Sequence, residues 1–326
     1  MKNIAITMGD PGGIGPEVTA KALACAGMRD CCRPLVIGSA GVMEEAVRLA
    51  GLKLQVRPVG GPADPPAGAG VVEVLDMRGR LSSRRGVPSA GSGRAAVKYI
   101  KKAAALALKK QVHAIVTAPV SKESLRMAGY KWPGHTELLA ELTNTEDFAM
   151  MFVSKRLKVI LCTIHVPLKD VPGMINRRLV YRTIRLADTG ARMLGVENRR
   201  IAVSGLNPHA GESGIMGREE DASIAPAVEK ARKDGLEVSG PYPPDVVFHR
   251  AYKGDFDIIV CMYHDQGLIP FKMLYFDSGV NVTVGLPIIR TSPDHGTAFD
   301  IAWKNAANPS SMTEAVKLAC RLRSLK

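Results

Sequence analysis

Aromatic side chains are scarce here: 5% of 326 residues, with 2 Trp, 7 Tyr and 7 Phe. Zinc-finger spacing and an RNA-recognition signature are also missing, so specific nucleic-acid binding is not expected. Long apolar runs are absent. Stretches such as Ala103–Leu108 fall far short of the ~20 residues that cross a bilayer. The first ten residues reach Gly9 and Asp10 before a signal-peptide core forms. A cytoplasmic protein with no membrane partner is expected. Cysteine is sparse as well: Cys25, Cys31, Cys32, Cys162, Cys261 and Cys320 form no C-x-x-C pair, which argues against a zinc ribbon or a disulfide framework and for reduced thiols. Acidic residues are missing from Arg78 to Lys110, a stretch with ten Lys and Arg within a net charge of +13. Such a run draws anionic ligands or is simply the solvated face of a helix. No G-x-x-x-x-G-K-[ST] occurs, which excludes a P-loop nucleotide site.

What is present is ordinary for a globular enzyme. Apolar residues make up 46% and charged residues 23%, and the length suits about two domains at roughly 150 residues each. Short β-rich runs alternate with helical patterns. Strands are expected at Asn3–Met8, Leu35–Gly38, Val71–Leu75, Ala114–Thr117, Lys158–Thr163, Arg200–Gly205, Asp257–Met262 and Asn281–Val284. Helices are expected at Pro16–Cys25, Val42–Ala50, Gly93–Lys110, Thr136–Leu142, Arg177–Leu194 and Glu219–Asp234. The alternation predicts an α/β fold with a largely parallel sheet. Gly60–Gly70 reads as a loop, and Gly285–Asp300, rich in Pro, Gly and polar residues, as a binding loop.

Three of these strands run into a histidine: Lys158–Thr163 into His165, Arg200–Gly205 into His209, and Asp257–Met262 into His264. Ligands of open α/β sheets gather at the carboxyl ends of strands, and three imidazoles with an open position make a catalytic metal site. Asp265, Gln266 and Gly267 follow His264, and then come Lys272, Asn281 and Arg290, a lysine, an amide and an arginine able to clamp a phosphate or carboxylate. Gly91–Ala96 fits G-x-G-x-x-A, but no strand runs into it, so the dinucleotide fingerprint fails. The Gly9–Glu17 loop follows the first strand. It reads either as a tight turn or as an anion cradle at a helix start.

The motifs Met8–Glu17, Pro133–Glu137, Asn207–Glu212, Tyr263–Gly267 and Arg290–Asp300, in this order, resemble those of the 4-hydroxythreonine-4-phosphate dehydrogenases (PdxA type). These are NAD-dependent enzymes of vitamin B6 biosynthesis, and the resemblance covers the whole chain. It implies a divalent metal (zinc, magnesium or cobalt) on His165, His209 and His264. It implies substrate contacts at His135, Thr136, Lys272, Asn281 and Arg290, and it leaves Asp265, His135 and a metal-bound hydroxide as candidate proton acceptors. It also implies a homodimer with shared active sites, in which His264 meets His165 and His209 of the partner subunit. The stretch from His295 to Asn308–Pro309 is similar, more distantly, to the adenosine loop of isopropylmalate and isocitrate dehydrogenases. That similarity assigns NAD contacts to His295, Asp300, Ile301 and Asn308. A carboxylate at Asp300 disfavours the 2′-phosphate of NADP. The implied subunit is a two-lobed α/β/α structure with its active site in the interlobe cleft. Residues 1–130 and 285–326 would form the cofactor lobe, and 131–284 the metal, substrate and dimerisation lobe. The implied reaction oxidises the C3 hydroxyl of 4-phosphooxy-L-threonine to a β-keto acid that decarboxylates to 3-amino-2-oxopropyl phosphate; the alternative substrate is 4-phospho-D-threonate or a related hydroxy acid.

Overall fold

The computed structural model describes residues 1–77 and 84–325. Among the described residues twelve strands follow in chain order: β1 (Asn3–Thr7), β2 (Arg33–Gly38), β3 (Gln55–Val59), β4 (Val71–Asp76), β5 (Ala114–Thr117), β6 (Ala149–Val153), β7 (Lys158–Leu161), β8 (Ile201–Ser204), β9 (Val238–Tyr242), β10 (Ile258–Cys261), β11 (Val280–Val284) and β12 (Ile289–Pro293). All eight expected strands are among them, and both compact units of the chain are α/β. The first unit comprises Met1–Glu146 and Leu286–Arg321, the second Asp147–Gly285 and Leu322–Lys326. The division thus falls later than residue 130. Helix His135–Leu142 packs on helix Ala90–Leu108 and belongs to the first unit. The chain end belongs to the second, where the Arg323 amide donates to the Met193 carbonyl at 2.8 Å.

In the first unit the strand order is β3-β4-β2-β1-β5-β12, with every pair parallel. Strands of such a sheet are covered on both faces and carry continuous apolar runs, as Ile4, Ala5 and Ile6 do without any exposure. Helix Ala90–Leu108 starts where the Ser89 hydroxyl accepts the Ser92 amide at 3.1 Å. Its buried side holds Tyr99, Ile100 and Ala103, and Arg94, Lys98 and Lys101 stand on its exposed side. On helix Ala90–Leu108 the basic stretch is a solvated face; Arg84 and Arg85 precede the helix, with Arg85 paired to Glu45, and Arg78 and Arg80 lie outside the described residues. The Gly60–Gly70 loop is ordered by charge: Arg33 and Arg57 both pair with the fully buried Glu73 and donate to the Pro62 and Pro65 carbonyls.

In the second unit the order is β11-β6-β7-β10-β8-β9. β6 runs antiparallel to both of its neighbours, and β7, β10, β8 and β9 are mutually parallel. Its core holds Phe152, Val159, Leu161, Ile259 and Phe271, with the two phenyl rings edge to face at 5.9 Å. Among the described residues no helix is long and apolar enough to cross a membrane.

One expectation is corrected here. Ile289–Pro293, read as part of a loop, is the buried strand β12, paired with β5. Its polar side chains are satisfied inside the fold; the Thr291 hydroxyl, for one, donates to the Ala315 carbonyl at 2.8 Å.

Candidate active site

The three histidine-bearing strands β7, β10 and β8 are consecutive parallel neighbours, so their carboxyl ends form one edge of the second unit. Short bonds lash these ends together. The Thr163 hydroxyl donates to the Met262 carbonyl at 2.8 Å. The buried Gln266 side chain accepts the Met262 amide at 2.6 Å and donates to the Gly205 carbonyl at 2.7 Å, tying the end of β10 to that of β8. The rings of His165 and His264 come to rest with their centres 5.7 Å apart. Two imidazoles on one ion at the usual ~2.0–2.1 Å hold their ring centres roughly 5 Å apart, so this pair fits a divalent metal. Asp265 Oδ1 lies 2.7 Å from His264 Nδ1 and accepts its proton, which leaves Nε2 as the free lone pair. The resemblance set His165 and His264 on opposite chains, but their rings are neighbours within one chain.

His209 is presented differently. Residues His209 to Ser213 all lie in the left-handed region, with φ of 53°, 53°, 83°, 42° and 55°. Each non-glycine residue there costs roughly 1–2 kcal/mol, and a run of five is far outside normal use. Among the described residues, no three His, Cys, Asp or Glu side chains gather as a metal set. The structure therefore pairs His165 with His264 and leaves His209 apart, exposed on its strained turn.

In the first unit, Arg290 of β12 is 3% exposed and donates to the Thr117 hydroxyl at 2.8 and 3.2 Å. Burial pushes its guanidinium down to about 10. His135 opens helix His135–Leu142 beside the buried Thr136, and its Nε2 lies 3.1 Å from the Ala118 carbonyl. Burial, reinforced by the charge of Arg290, pushes the imidazole down to about 3. The ring is therefore neutral and donates from Nε2, with Nδ1 left as an acceptor. In the second unit, Asn281 on β11 is 7% exposed, and its Oδ1 is buried without a hydrogen-bond partner. An orphaned amide oxygen suits a ligand contact. Lys272 stands on helix His264–Tyr275 with its ammonium 5.9 Å from the Phe276 ring.

The expected cofactor residues lie on a loop tightly bound to its own unit. Ile14 N donates to the Thr297 carbonyl at 3.0 Å and Trp303 Nε1 to the Pro11 carbonyl at 3.1 Å. Trp303 adopts φ 62°, with the Arg85 guanidinium 4.2 Å from its ring centre. The Ala307 amide donates to the buried Glu17. His295 Nδ1 faces the Gly296 carbonyl, the Ile301 amide bonds the Ala298 carbonyl, and Asn308 caps Ser310, while Asp300 is exposed. The glycine loop is the tight turn of the two readings. Its Asp10, Gly12, Gly13 and Ile14 amides all go to partners in the chain, among them the Pro119 carbonyl and the Asp10 carboxylate. Sequence reasoning missed Thr163 and the way Gln266 ties the ends of β10 and β8 together. Gln266 lay inside a quoted motif, whereas Thr163 was read only as the end of a strand.

A family model described as "Pyridoxal phosphate biosynthetic protein PdxA" matches residues 30–319. A 4-hydroxythreonine-4-phosphate dehydrogenase of Desulforapulum autotrophicum is 48% identical over 97% of this chain and 94% of its own. A D-threonate 4-phosphate dehydrogenase of Pectobacterium atrosepticum is 45% identical over 98% and 99%. The crystal structure of a 4-hydroxythreonine-4-phosphate dehydrogenase from Klebsiella pneumoniae superposes with a TM-score of 0.89 at 44% identity, covering 98% of this chain and 97% of the other. The fold, the strand-end histidines and these likenesses agree: the chain belongs to the PdxA family.

Proposed function

We propose that this chain oxidises the C3 hydroxyl of 4-phosphooxy-L-threonine with NAD. The resulting β-keto acid loses carbon dioxide to leave 3-amino-2-oxopropyl phosphate, in pyridoxal 5′-phosphate biosynthesis. The observation that carries this reading is the edge of β7, β10 and β8, where three histidines follow adjacent parallel strands. Its setting is a chain 48% identical to a relative named for that substrate. In the first step hydride leaves C3 for the nicotinamide and the hydroxyl gives up its proton. In the second the C–C bond to the carboxylate breaks and its electron pair passes to the ketone.

His165, His209 and His264 would hold a divalent ion (zinc, magnesium or cobalt), which when bound would supply Lewis-acid stabilisation of the charge developing at the C3 oxygen. Asp265 orients His264, and its exposed carboxylate is the proton acceptor we assign, since it can pass the proton on to water. His135 is a poor base with its imidazole at about 3; Nδ1 instead accepts a hydrogen bond from the substrate. In the first unit Arg290 binds the phosphate, Thr136 flanks it, and Asp300 accepts a hydrogen bond from the adenosine ribose of NAD, with His295, Ile301 and Asn308 beside it. In the second unit Lys272 contributes charge and Asn281 an acceptor. Two copies pair through the exposed apolar side chains Ile269, Met273 and Phe276, on and just after the helix that His264 opens.

A second reading, oxidation of 4-phospho-D-threonate, is favoured by the relatives of that name at 45% and 47% identity. Comparing kcat/KM for the two phosphorylated acids decides between them. A higher value for 4-phosphooxy-L-threonine supports the first reading, and the reverse order replaces it with the second. Turnover of neither would overturn both.

A further inference from the structure

We propose that Glu220 is the positioning residue for His209: its buried carboxylate holds the left-handed turn from which that histidine meets the ion. The inference rests on the metal reading above. Glu220 is 3% exposed and sits where the chain makes a π-helical turn, Glu220–Ile224, just before helix Ala225–Lys233. Local widening of this kind often marks a functional position. Its Oε1 accepts the Leu206 amide at 2.7 Å and the Asn207 amide at 2.8 Å, and its Oε2 accepts Asn207 Nδ2 at 2.9 Å. These donors immediately precede the strained run that begins at His209.

The turn is moulded around this carboxylate. A Cβ on Gly211 would lie 2.8 Å from Glu220 Oε2, and one on Gly205 would lie 3.1 Å from Glu220 Oε1 and 2.9 Å from Ala210 Cα. Burial favours the neutral acid, but the amide donors outweigh it and hold the carboxyl below its ordinary range, so it is a buried anion. All three donors are neutral amides. Among the described residues no lysine or arginine bridges Glu220, so its charge is solvated by dipoles and not cancelled. A left-handed run of this cost persists only where its surroundings over-determine it. Glu220 does so from the interior, and its uncancelled negative charge favours a cation at the nearby histidine.

The test is cobalt(II) binding to metal-free protein, followed by visible absorption, for wild type, Glu220→Gln, Asn207→Ser and His209→Ala, with thermal midpoints alongside. Glu220→Gln keeps the size and removes the charge. It should weaken cobalt binding about 10- to 100-fold, the usual loss when an outer-shell partner of a metal ligand is changed. Asn207→Ser removes one donor and should act in the same direction to a smaller extent; His209→Ala sets the scale for a lost ligand. A merely structural role lowers the thermal midpoint and leaves the cobalt affinity of the folded protein unchanged, and that result overturns the inference. If Glu220→Gln does not fold, Asn207→Ser decides, and wild-type affinity there is equally fatal. Failure of the wild type to bind cobalt overturns the metal reading itself and this inference with it.

Discussion

Arg290 keeps a charge inside the protein, 3% exposed and steadied by a neutral hydroxyl, which suits a side chain that meets an anion. A hydrogen bond to a charged group is worth about 1.5–3 kcal/mol, so Arg290→Gln should lower kcat/KM for the phosphorylated substrate roughly 10- to 150-fold. With the unphosphorylated analogue the loss should largely vanish, and equal losses on both substrates would give Arg290 another task. His135 makes a second prediction, about pH. Its folded pKa of about 3 lies below the ordinary 6.5, so the unfolded chain takes up a proton that the folded chain refuses. Stability is therefore full above pH 6.5 and declines as pH falls toward 3. Between pH 7 and pH 5 the urea midpoint of wild type should drop further than that of His135→Asn; parallel declines would contradict this. Both residues were legible as types in a motif. Their protonation was not, because burial depends on neighbours distant in sequence.

At the scale of elements, eight strands were legible and four were not. β3 and β9 contain Pro58 and Pro241, residues that break a strand pattern, and β6 opens on an alanine and two methionines, weak strand signals, before Phe152 and Val153. β12 was hidden by its polar sequence, Ile-Arg-Thr-Ser-Pro, whose burial only partners on β5 and the last helix make tolerable. The site followed the same division. The histidines stood out because they end apolar strands, whereas the left-handed turn at His209 is imposed by Glu220 and Asn207 and leaves no periodic trace. The rejected fingerprint at Gly91–Ala96 now has a packing explanation. A Cβ on Gly93 would sit 2.1 Å from the Ser124 carbonyl oxygen, where helix Ala90–Leu108 meets helix Lys122–Met127. Gly93→Ala should cost about 1–3 kcal/mol, as overpacking does, read as a lower urea midpoint. NAD affinity of the folded variant should be unchanged; a selective loss of NAD binding at full stability would return that glycine to the cofactor.

For the whole molecule the question is which histidine crosses between copies. The resemblance has His264 meet His165 and His209 of the partner subunit; because the rings of His165 and His264 are neighbours in one chain, we propose instead a shared site that takes the partner's His209 as its third ligand. Mixing His209→Ala with His264→Ala subunits, under conditions that exchange partners, then creates dimers with one intact site. With random pairing about half the dimers are mixed and half their sites work, so about a quarter of wild-type activity should return. Mixing His165→Ala with His264→Ala should restore nothing. The opposite pattern would place His165 and His264 on different chains at the working site, whatever their proximity within one.

The first unit is written in two stretches on either side of the second, and its strand β12 adds to β5 only after residues 147–285 have been made. During synthesis the ribosome therefore delivers the second unit almost whole while the first still lacks its edge. β5, paired with β1 on one side, keeps its other edge open for well over a hundred residues of translation, at roughly 5–20 residues per second. An exposed edge of that kind is a template for pairing with other chains. That edge stays open in the interval between Thr117 and Ile289 leaving the ribosome, and synonymous codons that slow translation there would lengthen the exposure without changing a single residue.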